Sequence, residues 1–250
     1  MLSGAAVGLT LGLVGGGGSI LAMPLMIHVL GVSSPHLAIG TTAAAVTASA
    51  LVNLALASRS DIKWRCVSLF ALSGVAGAAA GAALGKRMNG DHLLMLFGLL
   101  MIIVGALMFR PRSSASEANV ELDMHSAAHL APRLIALGVG TGAVSGFFGI
   151  GGGFLIVPAL VLATGMPMIT AVTSSLVAVA AFGLTTATSY AIAGLVDWRL
   201  AGIFVAGGVV GGLLGTRLAQ HLSAHKNLLA RVFATLVVIV GLYVCIFRSS

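Results

Sequence analysis

Long apolar runs follow one another along almost the whole chain, and short polar stretches separate them. Each run is about 18 residues or longer, the length that an α-helix needs to cross the hydrocarbon core of a bilayer. The runs cover roughly residues 2–30, 37–58, 66–85, 92–109, 133–164, 170–195, 200–219 and 228–247. This pattern predicts an all-α polytopic membrane protein.

The composition supports the same class. Hydrophobic residues make up 58% of the 250 residues and charged residues only 8%, whereas a soluble domain carries about 25% charged residues. The net charge is +7, but the basic residues lie between the apolar runs or at their ends. This distribution indicates membrane-topology signals and not a nucleic-acid-binding face.

The two halves of the chain repeat the same blocks of sequence in the same order. We therefore predict a first membrane repeat over residues 1–109, a polar linker over 110–132 and a second membrane repeat over 133–250. Three blocks recur at a spacing of 133 or 134 residues: Gly12–Pro24 with Gly146–Pro158, Ala38–Thr42 with Ala171–Ser175, and Ile62–Arg65 with Val196–Arg199. The Gly-x3-Gly-x3-Gly pattern from Gly77 also echoes the one from Gly207, and such ridges predict close helix packing.

Each half begins with an apolar segment that glycines interrupt. The sequence GGGGSILAMP runs from Gly15 to Pro24, and GIGGGFLIVP runs from Gly149 to Pro158. Because glycine disfavours a helix interior, we expect each segment to form two half-helices of about 12 residues, each reaching about 18 Å. Either each segment is a re-entrant hairpin that returns to the side where it entered, or each continues across the bilayer as one broken helix.

The basic residues favour the re-entrant hairpins. With hairpins, the lysines and arginines divide unequally, and the richer side is then cytoplasmic by the positive-inside rule, with both termini outside. Three full crossings per half would invert the second repeat relative to the first and build a pseudo-symmetric site at the midplane. One side would carry Arg59, Lys63, Arg65, Arg110, Arg112, Arg133, Arg217, Lys226 and Arg231, and the other Lys86, Arg87, Arg199 and Arg248.

The duplicated glycine block, the AIGTT and AVTSS sequences that follow it, and the Trp-Arg pairs at Trp64 and Trp198 resemble the TauE/SafE sulfite-exporter family, also called TSUP permeases. The resemblance covers nearly the whole chain except the linker. It implies a multi-pass permease of the bacterial inner membrane that moves small anions, typically sulfur oxyanions, organosulfonates or related carboxylates. Members of the family differ in substrate and in direction of transport.

The glycine breaks suggest how an anion would bind. A half-helix that starts near Ser19 or Gly153 has first-turn N–H groups without intrahelical partners, and its N-terminus carries partial positive charge. Glycine also lets a ligand approach the backbone closely. The alternative is that these glycines only allow helices to cross tightly.

The segment after each break adds hydroxyl and amide groups. Thr42, Ser49 and Asn53 lie at positions i, i+7 and i+11 of one helical face, and Ser175, Phe182 and Thr186 are their equivalents. Serine and threonine in membrane helices often bond only their own backbone, whereas a buried asparagine amide needs partners. The predicted substrate-binding residues are Gly17, Gly18, Ser19, Thr41, Thr42, Asn53, Gly151, Gly152, Gly153, Ser174, Ser175 and Thr186.

Acidic and basic residues are missing from the predicted membrane core, where a proton-coupled carrier usually has an ionisable relay. The nearest imidazoles, His28 and His36, are most simply interfacial. We predict an anion permease with alternating access, with an anion-selective channel as the alternative. We expect no enzyme activity, no cofactor, no metal and no nucleic-acid partner. The expected partners are a small anionic substrate and membrane lipid, and homo-oligomerisation stays open.

Overall fold

A computed structural model describes residues 26, 34–57, 62–108, 124–149, 153–223, 234–235 and 237–242. Every regular element in these ranges is an α-helix. The first glycine break, with Gly17, Gly18 and Ser19, lies outside them, as do Gly151 and Gly152. The seven long helices are α1 (Pro35–Leu56), α2 (Trp64–Gly85), α3 (Gly90–Met108), α4 (Met124–Phe148), α5 (Gly153–Thr164), α6 (Met168–Ile192) and α7 (Trp198–Ser223).

Four of the described helical stretches are long and apolar enough to cross a membrane: Pro35–Leu56, Trp64–Gly85, Leu130–Phe148 and Met168–Ile192. Large apolar side chains such as Leu72, 74% exposed, point outward from these helices. Such side chains suit a lipid environment, because hydrocarbon carries no penalty for apolar surface. The predicted class of an all-α polytopic membrane protein is therefore confirmed for the described part of the chain.

Helices α2 and α4 come from different halves and pack backbone to backbone. A Cβ atom added at Gly77 would overlap the Val139 carbonyl, and one at Gly81 would overlap the Ala143 carbonyl. Residue numbers rise together along both helices, so α2 and α4 run parallel. The Gly-x3-Gly pattern of α2 is thus a helix-packing surface, as its spacing predicts.

Helices α1 and α6 hold equivalent positions in the two predicted repeats, and they run in opposite directions. Gly40 near the start of α1 lies against Tyr190 near the end of α6, whereas Thr47 lies against Gly183. Residue numbers therefore rise along one helix as they fall along the other. This antiparallel pair is one of the contacts between the two predicted repeats.

Each of these two helices also packs against the following helix of the other half. Ser49 of α1 lies against Gly208 of α7, and Phe182 of α6 lies against Gly74 of α2. Ser49 and Phe182 are equivalent by the 133-residue spacing, and Gly74 and Gly208 by the 134-residue spacing. The same contact is thus made twice with the halves exchanged.

The second glycine segment reverses the direction of the chain. Helix α6 runs parallel to α2, because Lys63 meets Ser174 at one end and Lys86 meets Ser189 at the other. Helix α4 is also parallel to α2, so the chain must turn back between α4 and α6. The turn falls in the stretch that contains the break and α5.

The two arms of this segment differ in length. Helix α5 has 12 residues, as expected for a half-helix, but α4 has 25, so the expectation of two short arms is wrong for the first arm. Helix α4 begins at Met124, inside the stretch 110–132 that we predicted as linker. Several glycines of α4 pack against α2, and this packing compensates for the low intrinsic helix propensity of glycine.

Candidate functional site

The second glycine break lies beside the first turns of α1. Helix α4 ends at Phe148, and Gly149 has φ +65°, a left-handed conformation that glycine adopts without steric cost. A Cβ atom at Gly149 would also overlap the Ile39 side chain. Helix α5 then begins at Gly153, the position where we expected the half-helix to start.

Among the serine and threonine side chains of the described residues, three buried hydroxyl groups stand apart from the others. The side-chain oxygens of Thr42, Ser145 and Thr186 have no hydrogen-bond partner, although each residue is at most 1% exposed. Other threonines donate to a carbonyl one turn earlier in their own helix. They are Thr47 to Ala43, Thr141 to Leu137, Thr164 to Leu160, Thr173 to Ile169 and Thr185 to Ala181.

These three hydroxyl groups lie at the end of the bundle that contains the second break. Thr42 follows Ile39 by one helical turn, and Ser145 precedes Gly149 by one turn. Thr186 precedes Tyr190 by one turn, and Tyr190 contacts the start of α1 through Gly40. Buried donors without partners are uncommon and are typical of sites that accept a ligand or water.

Ser145 was absent from the predicted site. Its equivalent in the first repeat is Leu11, so a search based on duplicated polar positions could not find it. The available signal was its position one turn before the glycine break, in a segment whose other residues are mostly apolar residues and glycine. That signal does not depend on the repeat.

Thr41 and Ser174, both predicted as ligands, hold the starts of helices in the other half. The Asp197 backbone N–H donates to Thr41 Oγ1 at 2.9 Å, and the Lys63 backbone N–H donates to Ser174 Oγ at 3.1 Å. Thr41 is equivalent to Ser174, and Lys63 to Asp197. The two bonds are therefore one interaction made twice, and each hydroxyl keeps its own proton for a further bond.

The remaining predicted ligands, Asn53 and Ser175, bond within their own helices. Asn53 Nδ2 donates to the Ser49 carbonyl at 2.8 Å, and Ser175 Oγ donates to the Val172 carbonyl at 2.7 Å. The predicted face of α1 that carries Ser49 and Asn53 packs against glycines of α7. Asn53 lies eleven residues after Thr42, which is about 16 Å along the helix, so these two residues do not share one small site.

The described residues contain no group of three or more His, Cys, Asp or Glu side chains that could hold a metal ion. The described polar groups near the second break include the neutral hydroxyls of Thr42, Ser145 and Thr186. Helices of membrane-spanning length with outward-facing apolar side chains define a class. The protein is a multi-pass α-helical membrane protein.

Comparison with known proteins gives the family. The profile of the family described as "Sulfite exporter TauE/SafE" matches residues 1–244. The chain therefore belongs to the TauE/SafE sulfite exporter family, and the resemblance seen in the sequence is confirmed. No solved structure matches the chain.

Named relatives describe the same class of protein. A "Probable membrane transporter protein" of Xylella fastidiosa strain 9a5c is 52% identical over 248 residues, which is 99% of this chain and 94% of the relative. The "Probable membrane transporter protein YunE" of Bacillus subtilis is 28% identical over 213 residues, or 78% of each chain. These names indicate a membrane transporter and not an enzyme.

Proposed function

We propose that this protein is a permease that moves small anions across the bacterial cell membrane by alternating access, with the anion bound at the glycine breaks. One observation carries this proposal. The buried hydroxyls of Thr42 and Ser145 have no hydrogen-bond partner, and each lies one helical turn from the contact between Ile39 and Gly149. Neutral donors suit an anion, whereas a hard cation needs several oxygen ligands, usually including carboxylates.

The substrate class follows from the family and from this chemistry together. The family is described by the word sulfite, and sulfite presents several oxygens that accept hydrogen bonds. Hydroxyl groups and the N-terminus of α5 would each bond one of these oxygens. Our proposed substrates are sulfur oxyanions, organosulfonates and related small carboxylates.

We further propose that the two halves form an inverted repeat. This arrangement is supported by the antiparallel packing of the equivalent helices α1 and α6 and by the exchanged bonds of Thr41 and Ser174. An inverted repeat relates its halves by a pseudo-two-fold axis in the membrane plane. In this arrangement, equivalent sites face opposite sides of the bilayer.

Flux into proteoliposomes tests the proposal. Purified protein would be reconstituted and offered sulfite, sulfate, thiosulfate, methanesulfonate and acetate one at a time, with empty liposomes as the control. A permease is expected to accumulate at least one of them against its gradient when a proton or counter-anion gradient is imposed. Flux that only runs downhill would identify an anion-selective channel, and no flux of any of these anions would refute the proposal.

A further inference from the structure

A cavity of about 520 Å³ opens between the end of α1 and the start of α2, at the end of the bundle opposite to the second break. Leu51 and Trp64, which line it, are each about half exposed, so the cavity is open to the surroundings of the protein. The other lining residues are Leu54, Ala55 and Ala57. The indole N–H of Trp64 is the one polar side-chain group among these five residues, so the cavity suits an apolar occupant.

A difference between the two repeats contributes to the space in this cavity. By the 133-residue spacing, Ala57 is the equivalent of Tyr190. Tyr190 is fully buried, and it belongs to the same apolar cluster as Ile39 and Phe148. The side chain of Ala57 ends at Cβ, so the first repeat has no ring to place at the corresponding position. The cavity is therefore a feature of one end of the bundle and is not imposed by the repeat.

Positive charge is concentrated next to the cavity. Lys63 and Arg65 are the sequence neighbours of Trp64, and Arg65 is exposed. Residues 57–65 include three basic residues and one acidic residue, whereas the equivalent residues 190–199 include one of each. The excess of positive charge is thus on the side that has the cavity. A partner that matches both features has an apolar part and a negative charge.

We propose that this cavity and the basic side chains beside it form a binding site for an anionic phospholipid. One acyl chain lies in the cavity, and the headgroup phosphate lies beside Lys63 and Arg65. Trp64 lines the cavity at the start of a membrane-spanning helix, where tryptophan is typical of the headgroup level. Basic pockets between helices at this level are known to suit anionic headgroups. The inference does not depend on the proposed transport of anions.

The two parts of the site contribute in different ways. An acyl chain gains little hydrophobic free energy in the cavity, because the bilayer is equally apolar, but it gains dispersion contacts with the lining side chains. The phosphate discriminates between lipids, since each basic side chain near the surface favours an anionic lipid about fivefold. A soluble anion would use only the basic side chains and a neutral lipid only the cavity. An anionic phospholipid uses both.

Tryptophan fluorescence tests the site, because the chain has two tryptophans, Trp64 and Trp198, and they lie at opposite ends of the bundle. Trp198→Phe leaves Trp64 as the reporter, and phospholipids with brominated acyl chains quench it on contact. Brominated phosphatidylglycerol and brominated phosphatidylcholine would be compared at equal mole fractions in liposomes. We expect a preference of about tenfold for phosphatidylglycerol at Trp64. Trp64→Phe, in which Trp198 is the reporter, is the control and should show less than about twofold.

Substitutions in the Trp198→Phe background separate the two parts of the site. Arg65→Gln should lower the preference for phosphatidylglycerol about fivefold. Arg133→Gln is the matched control, because Arg133 is exposed near the same end of the parallel helix α4, and it should change nothing. Ala57→Phe fills the cavity and should reduce quenching by both lipids. Ala80→Phe, at an exposed position of α2, controls for the added ring.

Four results would overturn the inference. They are equal quenching of Trp64 by the two lipids, an equal preference at Trp198, an unchanged preference in Arg65→Gln, and unchanged quenching in Ala57→Phe. A change in oligomeric mass in Ala57→Phe would assign the cavity to a contact between two copies of the chain and would also overturn it. If Ala57→Phe does not fold, the exposed Arg65 still provides the test. None of these results bears on the proposed transport.

Discussion

The starts of α2 and α7 are equivalent by sequence, yet the two are stabilised differently. At the start of α7, the Asp197 carboxylate accepts from the backbone N–H groups of Arg199 and Leu200, at 2.9 and 3.1 Å. At the start of α2 the same position is Lys63, whose side chain makes no such cap. A carboxylate suits the partial positive charge of a helix N-terminus, and an ammonium group opposes it.

At these two equivalent positions of the predicted repeats, the hydrogen bond to the backbone is the same and the charge of the side chain differs. Both helix starts donate a backbone N–H to a hydroxyl oxygen of the other predicted repeat, Asp197 to Thr41 and Lys63 to Ser174. Only one of them adds an acidic cap. We call the two ends of the bundle the Asp197 end, which also contains Gly149, and the Lys63 end. Asymmetry of this kind would make an inverted repeat favour one of its two states.

The largest expected effect is at Gly149, at the Asp197 end. Gly149→Ala is expected to destabilise the protein by about 2–5 kcal/mol, because the left-handed conformation and the overlap with Ile39 both oppose a Cβ atom. Gly194→Ala is the matched control: φ is +71° there, but nothing lies near the added atom, so it should cost only about 1–2 kcal/mol. Thermal unfolding of the purified protein in detergent measures both, and equal costs would contradict the close approach.

The next largest effect on stability is expected when the two equivalent hydrogen bonds at the helix starts, those accepted by Ser174 and Thr41, are removed. Ser174→Ala should lower stability by about 1–2 kcal/mol, because no acidic cap supports the start of α2. Thr41→Val should cost less, since Asp197 still caps α7. Ser73→Ala, which removes a bond of 3.0 Å to the Phe70 carbonyl of its own helix, is the control for the loss of one hydroxyl hydrogen bond and should cost at most about 1 kcal/mol. A larger loss for Thr41→Val than for Ser174→Ala would show that the two ends are not distinguished by the acidic cap.

Changing the charged side chains at the two helix starts, Asp197 and Lys63, tests whether the acidic cap causes the difference between them. Asp197→Ala removes a helix cap and should cost about 1 kcal/mol. Lys63→Asp would give the start of α2 the cap that α7 has, and should stabilise by about 0.5–1 kcal/mol at low ionic strength. Unfolding midpoints in low and high salt test this. A salt-independent change in Lys63→Asp would rule out the electrostatic explanation.

The smallest effect on stability is expected at the unpaired hydroxyl of Thr186. Thr186→Val removes no hydrogen bond, so stability should change by less than about 0.5 kcal/mol or rise slightly. Thr185→Val, its neighbour, removes a bond of 2.8 Å to the Ala181 carbonyl and should cost about 1 kcal/mol. For transport we expect the reverse: Thr186→Val should raise the KM, and Thr185→Val should leave it unchanged. Unchanged transport in Thr186→Val would remove this residue from the site.

Much of the fold was predictable because it follows from patterns that repeat along the chain. Apolar run length gave the helical membrane class, and glycine spacing gave the packing face of α2 around Gly77 and Gly81. The start of α5 at Gly153 followed from the low helix propensity of the glycines before it. The length of α4 did not follow, because its glycines are compensated by contact with a helix that is distant in sequence.

The candidate site was predictable only in part. Spacing identified Thr41 and Ser174 as equivalent, but it could not show that each holds a helix start of the other half. The roles of Thr42 and Thr186 differ from those of Thr47 and Thr185 only by which hydroxyl has a partner, and a single sequence does not contain that information. Ser145 could not be found by comparing the two repeats, because its equivalent in the first repeat is the apolar Leu11.

The backbone contact between α2 and α4 restricts how the protein can move. These helices come from the two predicted repeats, and glycines of each helix lie against backbone carbonyls of the other at Gly77, Gly81, Gly142 and Gly146. If one helix slid along the other, their backbone atoms would clash. The two helices are therefore expected to move together as a rigid body. If transport proceeds by the proposed alternating access, the moving units are therefore not the two halves of the sequence, and the conformational change would occur elsewhere, for example at the turn that contains Gly149.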